Sequence, residues 1–205
     1  QAQMVQAAED AAYAKATGRP LKSFLLGLTA GGHIALGFVF YVTSQVGVED
    51  LPWGVGKVLG GLVFSTGLAL VVLTGAELFT SSTLTLTARA SGRISWGQLL
   101  RNWGVVYVAN FLGALTIVAL VFLAGTWQKA EGGWGAVVLM TSLAKVEHSF
   151  AQAFFLGILC NLMVCLAIWA AYSGRTTTDK ILAVTMPIAL FVASGFEHSV
   201  ANMFM

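Results

Sequence analysis

The chain has 205 residues, 57% of them apolar and only 10% charged, where a soluble domain carries about 25% charged residues. Eleven basic and nine acidic residues leave a formal net charge of +2, too little polar surface for a cytosolic enzyme or a disordered chain and no basic patch for nucleic acid. An integral membrane protein remains. Cys160 and Cys165 lie inside an apolar run without metal-ligand spacing and read as buried thiols.

Residues 1–17 are polar and alanine-rich, with Met4, Val5, Ala8, Ala12 and Tyr13 able to share one side of a helix that Gly18 and Pro20 end. Residues 1–20 are therefore expected to form an amphipathic helix in the membrane interface. Asp, Glu, Lys and Arg are absent from 23–48, 58–76, 102–128, 148–174 and 181–196. About 20 apolar residues cross a bilayer core as a helix, so the first, third and fourth runs suffice and the second and fifth are marginal. No run alternates with period two, so helices and not a barrel satisfy the backbone in lipid.

Lys15, Arg19 and Lys22 precede the first span, Arg89, Arg93 and Arg101 follow the second, and Arg175 and Lys180 follow the fourth. Basic residues thus gather in alternate loops, which places the N-terminus in the cytoplasm. Trp53, Trp127 and Trp134 are expected at the outer boundary and Trp96 and Trp103 at the inner one. Gly27, Gly31 and Ala35 recur every four residues, and Gly60, Gly61 and Gly67 mark the second span; such small residues let helix backbones approach closely.

Two spans look broken. Gly75 and Glu77 interrupt the second, and six hydroxyl side chains follow within the eight residues Thr80 to Thr87. The fifth repeats the pattern at Gly195-Phe196-Glu197-His198-Ser199. Interrupted spans of opposite direction at matching positions predict inverted repeats that meet at mid-membrane.

Few residues carry chemistry. His198 follows a buried acid in a broken span, where an imidazole can gain or lose a proton near neutral pH. His33 reads as a hydrogen-bonded packing histidine and His148 as interfacial. No two histidines stand at i, i+3 or i, i+4, so no metal or haem site is expected. Glu77 and Glu197 either carry protons or, the preferred reading, accept hydrogen bonds from N–H groups freed by the breaks. Thr80 offers a hydroxyl at the first break. Asn161, deep in the fourth span, needs a partner, for which His198 or a helix backbone is plausible. Lys145, at the outer mouth of the fourth span, either raises the local anion concentration or is an ordinary solvated lysine.

Gly75-Ala76-Glu77-Leu78-Phe79-Thr80, Ser91-Gly92-Arg93-Ile94-Ser95-Trp96-Gly97-Gln98, Asn161-Leu162-Met163-Val164-Cys165-Leu166-Ala167 and above all Ala193-Ser194-Gly195-Phe196-Glu197-His198-Ser199-Val200-Ala201-Asn202-Met203 resemble the formate/nitrite transporter family over essentially the whole chain. Gly37-Phe38-Val39-Phe40-Tyr41 and the Ser-Gly-Arg loop are most similar to its bacterial formate channels. The resemblance implies an all-α integral membrane protein with an aquaporin-like inverted repeat of three spans each. It implies a homopentamer with one pore per subunit in the bacterial inner membrane, passing formate and related small monovalent anions, with protons involved and no cofactor, metal or catalytic residue. His198 and Thr80 would be the central polar pair with Asn161 nearby. Phe64, Leu68, Leu78, Val164 and Phe191 would form two apolar constrictions, and Lys145 would attract the anion.

On this reading residues 21–126 are the first repeat and 149–205 the start of the second. The sixth span is absent from the sequence, which stops at Met205, so the chain is expected to be part of a longer one. A bare carboxylate in low dielectric costs tens of kcal/mol, whereas moving a proton from imidazolium to a carboxylic acid of pKa near 4 costs only about 3.4 kcal/mol. Proton-assisted passage of the neutral acid is expected, with the histidine either giving the proton or only a hydrogen bond. Nitrite or hydrosulfide would suit the same pore; a membrane redox subunit holding haem through His33 and His198 is the alternative from another class.

Overall fold

The computed structural model describes residues 2–205, with side chains from residue 3 onward. All regular structure among them is helical: α1 (Ala2–Thr17), α2 (Pro20–Gln45), α3 (Trp53–Thr74), α4 (Phe79–Ser82), α5 (Thr85–Ala90), α6 (Trp96–Leu123), α7 (Gly133–Val146), α8 (Phe150–Ala171) and α9 (Thr177–Ala193), with short 3-10 turns at Val48–Asp50, Thr126–Gln128 and Ala201–Phe204. By length and composition α2, α3, α6 and α8 can cross a membrane. The 17-residue α9 stops at the second break. Side-chain and backbone caps fix three of the helix starts, Ser95 with Gln98 on α6, Ser149 with Gln152 on α8 and Thr176 with Asp179 on α9.

The glycine stripes are where helix backbones touch. A Cβ on Gly31 would collide with the backbone of Asn110, and one on Gly113 with the Leu28 carbonyl, so α2 and α6 cross with nothing between them. Gly37 meets Gly67 and the Phe64 carbonyl, joining α2 to α3, and Gly61 meets the Ala189 carbonyl, joining α3 to α9. A bilayer gives packed helices little hydrophobic drive, so dispersion at such close crossings carries much of the association.

Three expectations need correction. The buried stripe of α1 is Ala8, Ala12 and Ala16, while Val5 and Tyr13 are exposed. Ala12 and Ala16 pack with Ala88, Ile94 and Leu99 of the same chain. Arg93 pairs with Asp10 at 2.8 Å and holds that carboxyl below its usual range, and Arg101 donates to the Ala16 and Gly18 carbonyls at 3.0 and 3.4 Å, satisfying the open end of the helix. Thus α1 is docked on its own chain, because alanines four apart allow a close fit that the larger residues do not. Trp134 is buried, its indole donating to Thr43 Oγ1 at 3.1 Å, and Trp103 donates inward to the Ser82 carbonyl and Thr85 Oγ1, so neither is a free boundary tryptophan. The stretch before the fourth span holds α7, 14 residues long and too short to cross.

Replacing Gly31 or Gly113 with alanine forces a methyl group into backbone that cannot yield. Each variant should lose about 1–3 kcal/mol of stability, read as a lower melting temperature in detergent, whereas Gly54→Ala, with nothing within 4 Å, should melt like the parent. Equal melting of all three would contradict the backbone crossings.

Candidate functional site

Both breaks close in the same way. Gly75 (φ 69°) and Gly195 (φ 72°) take the left-handed conformation that glycine enters freely. The next N–H in each case reaches back five residues, Ala76 to the Val71 carbonyl and Phe196 to the Phe191 carbonyl, both at 3.0 Å. The two helices run antiparallel. One cavity of about 250 Å³ is lined by the early part of α3 (Lys57, Phe64) and the late part of α9 (Phe191, Gly195), together with Lys145 and His198. A second of about 220 Å³ is lined by the end of α3 (Val71, Gly75), by Lys180 near the start of α9, and by Lys15, Ser81 and Tyr172. Lys57 and Gly75 are roughly 27 Å apart along α3.

After each break the chain turns back into the protein, and the two returning segments meet. His198 Nε2 lies 3.1 Å from Thr80 Oγ1, and both residues are buried. The Ala201 amide donates to His198 Nδ1 at 3.0 Å. An amide N–H can only donate, so Nδ1 is an acceptor and the neutral ring carries its proton on Nε2, aimed at Thr80. The imidazole stacks on Phe191 (5.6 Å between centroids), which meets Phe64 edge-on at 5.9 Å. Leu68, Leu78 and Val164 are buried in the same apolar cluster and line neither cavity; Leu68 lies on α3 between Phe64 of the first cavity and Val71 of the second. The structure thus brings the polar pair into contact and buries in one cluster the five apolar side chains that the family resemblance named.

The groups freed by the first break go elsewhere than expected. The Glu77 N–H donates to the Leu26 carbonyl at 3.1 Å and the Phe79 N–H to Asn110 Oδ1 at 2.8 Å, while Asn110 Nδ2 reaches the carbonyls of Gly27 (2.7 Å) and Glu77 (3.0 Å). A carboxamide both accepts and donates, which this crossing of α2, α6 and the break requires; a carboxylate only accepts. The Glu77 carboxylate instead takes Ser23 Oγ and Asn102 Nδ2, each at 3.2 Å. Glu197 takes Lys145 Nζ at 2.7 Å and Asn202 Nδ2 at 2.8 Å, with His148 Nε2 at 3.4 Å.

Other residues are corrected too. Lys145 stands on α7, and its ion pair with Glu197 leaves it neither a solvated lysine nor an uncompensated cation. Asn161 donates to Thr83 Oγ1 at 3.1 Å and approaches Cys165 Sγ at 3.7 Å, so its partner is not His198. His33 Nδ1 is buried without a partner, so the histidine is packed but not hydrogen-bonded there as expected. His148 is drawn to Glu197 and lines the first cavity. Cys160 and Cys165 are free, and no group of three metal-ligating side chains occurs among the described residues.

Three residues escaped the sequence reading. Asn110 carried the signal that singled out Asn161, an amide deep in an apolar run. Thr83, which joins Asn161 to the Thr80 carbonyl (2.7 Å), lay hidden in the hydroxyl run, and Lys15 of the second cavity was counted only toward orientation.

Apolar spans, paired breaks and a polar contact between opposed cavities define a membrane protein of the channel and transporter class. The family model described as "Formate/nitrite transporter" matches residues 2–205, and the chain belongs to that family. It is 56% identical to the formate channel FocA of Haemophilus influenzae over 198 residues, 97% of this chain and 70% of the relative. Against FocA of Escherichia coli K12 the identity is 53% over 204 residues, 100% and 72% of the two chains. Among solved structures, a pentameric formate channel with formate bound is 50% identical with a TM-score of 0.87, covering 90% of this chain and 72% of that one. An FNT family ion channel is 29% identical, also with a TM-score of 0.87, covering 100% and 81%.

Asn110 satisfies three backbone groups that neither lipid nor water reaches. Asn110→Ala strands the Phe79 N–H and the Glu77 carbonyl at about 1–3 kcal/mol each and removes the extra bond to the helical Gly27 carbonyl, so the variant should melt far below the parent in detergent or fail to assemble. An unchanged melting temperature would show that the break does not depend on it.

Proposed function

We propose that the chain is a subunit of a homopentameric formate channel in the bacterial inner membrane, with its N-terminus in the cytoplasm and one pore in each subunit. The first cavity faces outward and the second, beside Lys15 and Lys180, faces the cytoplasm, as the alternating basic loops require. The observation that carries the reading is the buried His198–Thr80 pair beside Leu68, Leu78 and Val164, in a chain more than half identical to formate channels over nearly all its length.

The apolar side chains set the mechanism. Phe64 and Phe191 narrow the way from the outer cavity, and Leu68, Leu78 and Val164 close it toward the inner one. A bare formate anion there loses its water and gains no compensating charge, at a cost of tens of kcal/mol by Born solvation. Formate therefore takes up a proton in the cavity and crosses as formic acid. His198 offers its Nε2–H to the passing carbonyl oxygen, and the Thr80 hydroxyl oxygen turns from the ring to accept a hydrogen bond from the acid O–H, which keeps its proton. Asn161 acts through Thr83, holding the carbonyl of Thr80 and so the position of its hydroxyl. Glu77 and Glu197 keep the two returning segments in place.

Initial rates of entry into liposomes for formate, nitrite, hydrosulfide and lactate at two pH values test this directly. Formate is expected to lead and to speed up as pH falls. Leu68→Ala or Phe191→Ala should widen the slit and raise lactate entry several-fold, with an unchanged pH profile for formate. Preference for nitrite or hydrosulfide would reassign the substrate, and unaltered selectivity in both variants would remove those side chains from the pore.

A further inference from the structure

The outer cavity holds two lysines, and they are not equivalent. Lys145 is 2.7 Å from Glu197, with side chains 20% and 12% exposed, so the pair contributes no net charge to the cavity. Asn202 holds the same carboxylate oxygen, and His148 stands 3.4 Å from the other. Lys57 lines the same cavity and forms no ion pair within 4.0 Å among the described residues. Glu49 faces an adjoining hollow that Lys57 also borders, without pairing to it. The ammonium lies 5.6 Å from the centre of the Trp53 ring, a contact that steadies it without neutralising it.

The helix itself does not favour a cation at this position. Lys57 is near the start of α3, where the helix dipole is positive and a lysine is disfavoured; the first turn of α3 has no acidic residue and its N-cap makes no side-chain bond. The residue is, however, in register with the pore. Lys57, Phe64 and Leu68 are spaced seven and four apart, which sets them on one stripe of α3, with Lys57 two turns and about 10 Å outside Phe64.

We propose that Lys57, and not Lys145, carries the net positive charge of the outer cavity and draws small monovalent anions to the Phe64–Phe191 constriction. This rests on the reading of the pore as a formate pathway. An uncompensated cation in a cleft raises the local concentration of anions tenfold or more, and salt screens the effect. The residue acts before the slit, so it governs capture and not the passage that follows.

The test is formate uptake by the full chain in liposomes, as initial rate against formate concentration at low and high ionic strength. Lys57→Gln should raise the apparent KM by roughly 3–10-fold at low salt with the maximal rate unchanged, and the gap should close at high salt. Lys57→Arg should restore the wild-type KM. Lys57→Met, which keeps the stem over Trp53, should behave as the Gln variant and takes its place if that protein fails to assemble. A wild-type KM in both uncharged variants at low salt would overturn the proposal. Absence of formate uptake by the wild type would instead overturn the channel reading beneath it.

Discussion

A helix that stops inside a bilayer leaves backbone N–H and C=O groups that lipid cannot satisfy, and where those groups find partners decides the rest of this structure. At the first break they go to the Leu26 carbonyl and to Asn110, whose side chain also binds Gly27 and Glu77. These partners are within reach because α2 and α6 cross with their backbones in contact at Gly31 and Gly113. The glycine crossing, the buried amide and the broken span are therefore one device. With its N–H groups taken, the segment from Leu78 to Ser82 is free to turn inward and present Thr80 to His198.

The acids of the breaks serve different neighbours. Glu77 ties the first break to Ser23 and Asn102, and the same Asn102 amide reaches the Lys15 carbonyl at the end of α1. Asn102 thereby ties the end of the N-terminal helix to the first break. Glu197 instead gathers Lys145, Asn202 and His148 around the first cavity and offsets the lysine's charge there.

Much of this was legible in the sequence because a bilayer punishes charge. Uncharged runs marked the spans, and a glycine beside an acid marked each break, since neither is tolerated mid-span without a reason. What stayed hidden was pairing between distant segments. Lys145 and Glu197 are 52 positions apart and Asn102 and Glu77 25, and no periodicity links them. Short α7 was missed because a stretch of only 14 residues, carrying Thr141, Ser142 and Lys145, is too short and too polar to stand out as a span. The face of α1 was misread because ordinary hydrophobicity ranks Val5 and Tyr13 above alanine, whereas a close helix contact selects the smallest side chain.

The chemistry turns on the hydrogen bond from the Ala201 amide to His198 Nδ1. To become imidazolium the ring must break that bond and strand a buried N–H, at about 1–3 kcal/mol, besides placing a charge among Phe191, Phe64 and the buried leucines. In the proposed mechanism the ring is therefore a fixed donor, and the proton that neutralises formate comes from the cavity. The direct measurement is formate entry into liposomes at about pH 5 and about pH 7.5 for wild type and His198→Asn. Asparagine keeps an N–H donor and removes the titratable ring. The variant should keep the rise in rate toward low pH while losing only a few-fold in speed. A pH profile gone flat would mean that His198 itself carries the proton.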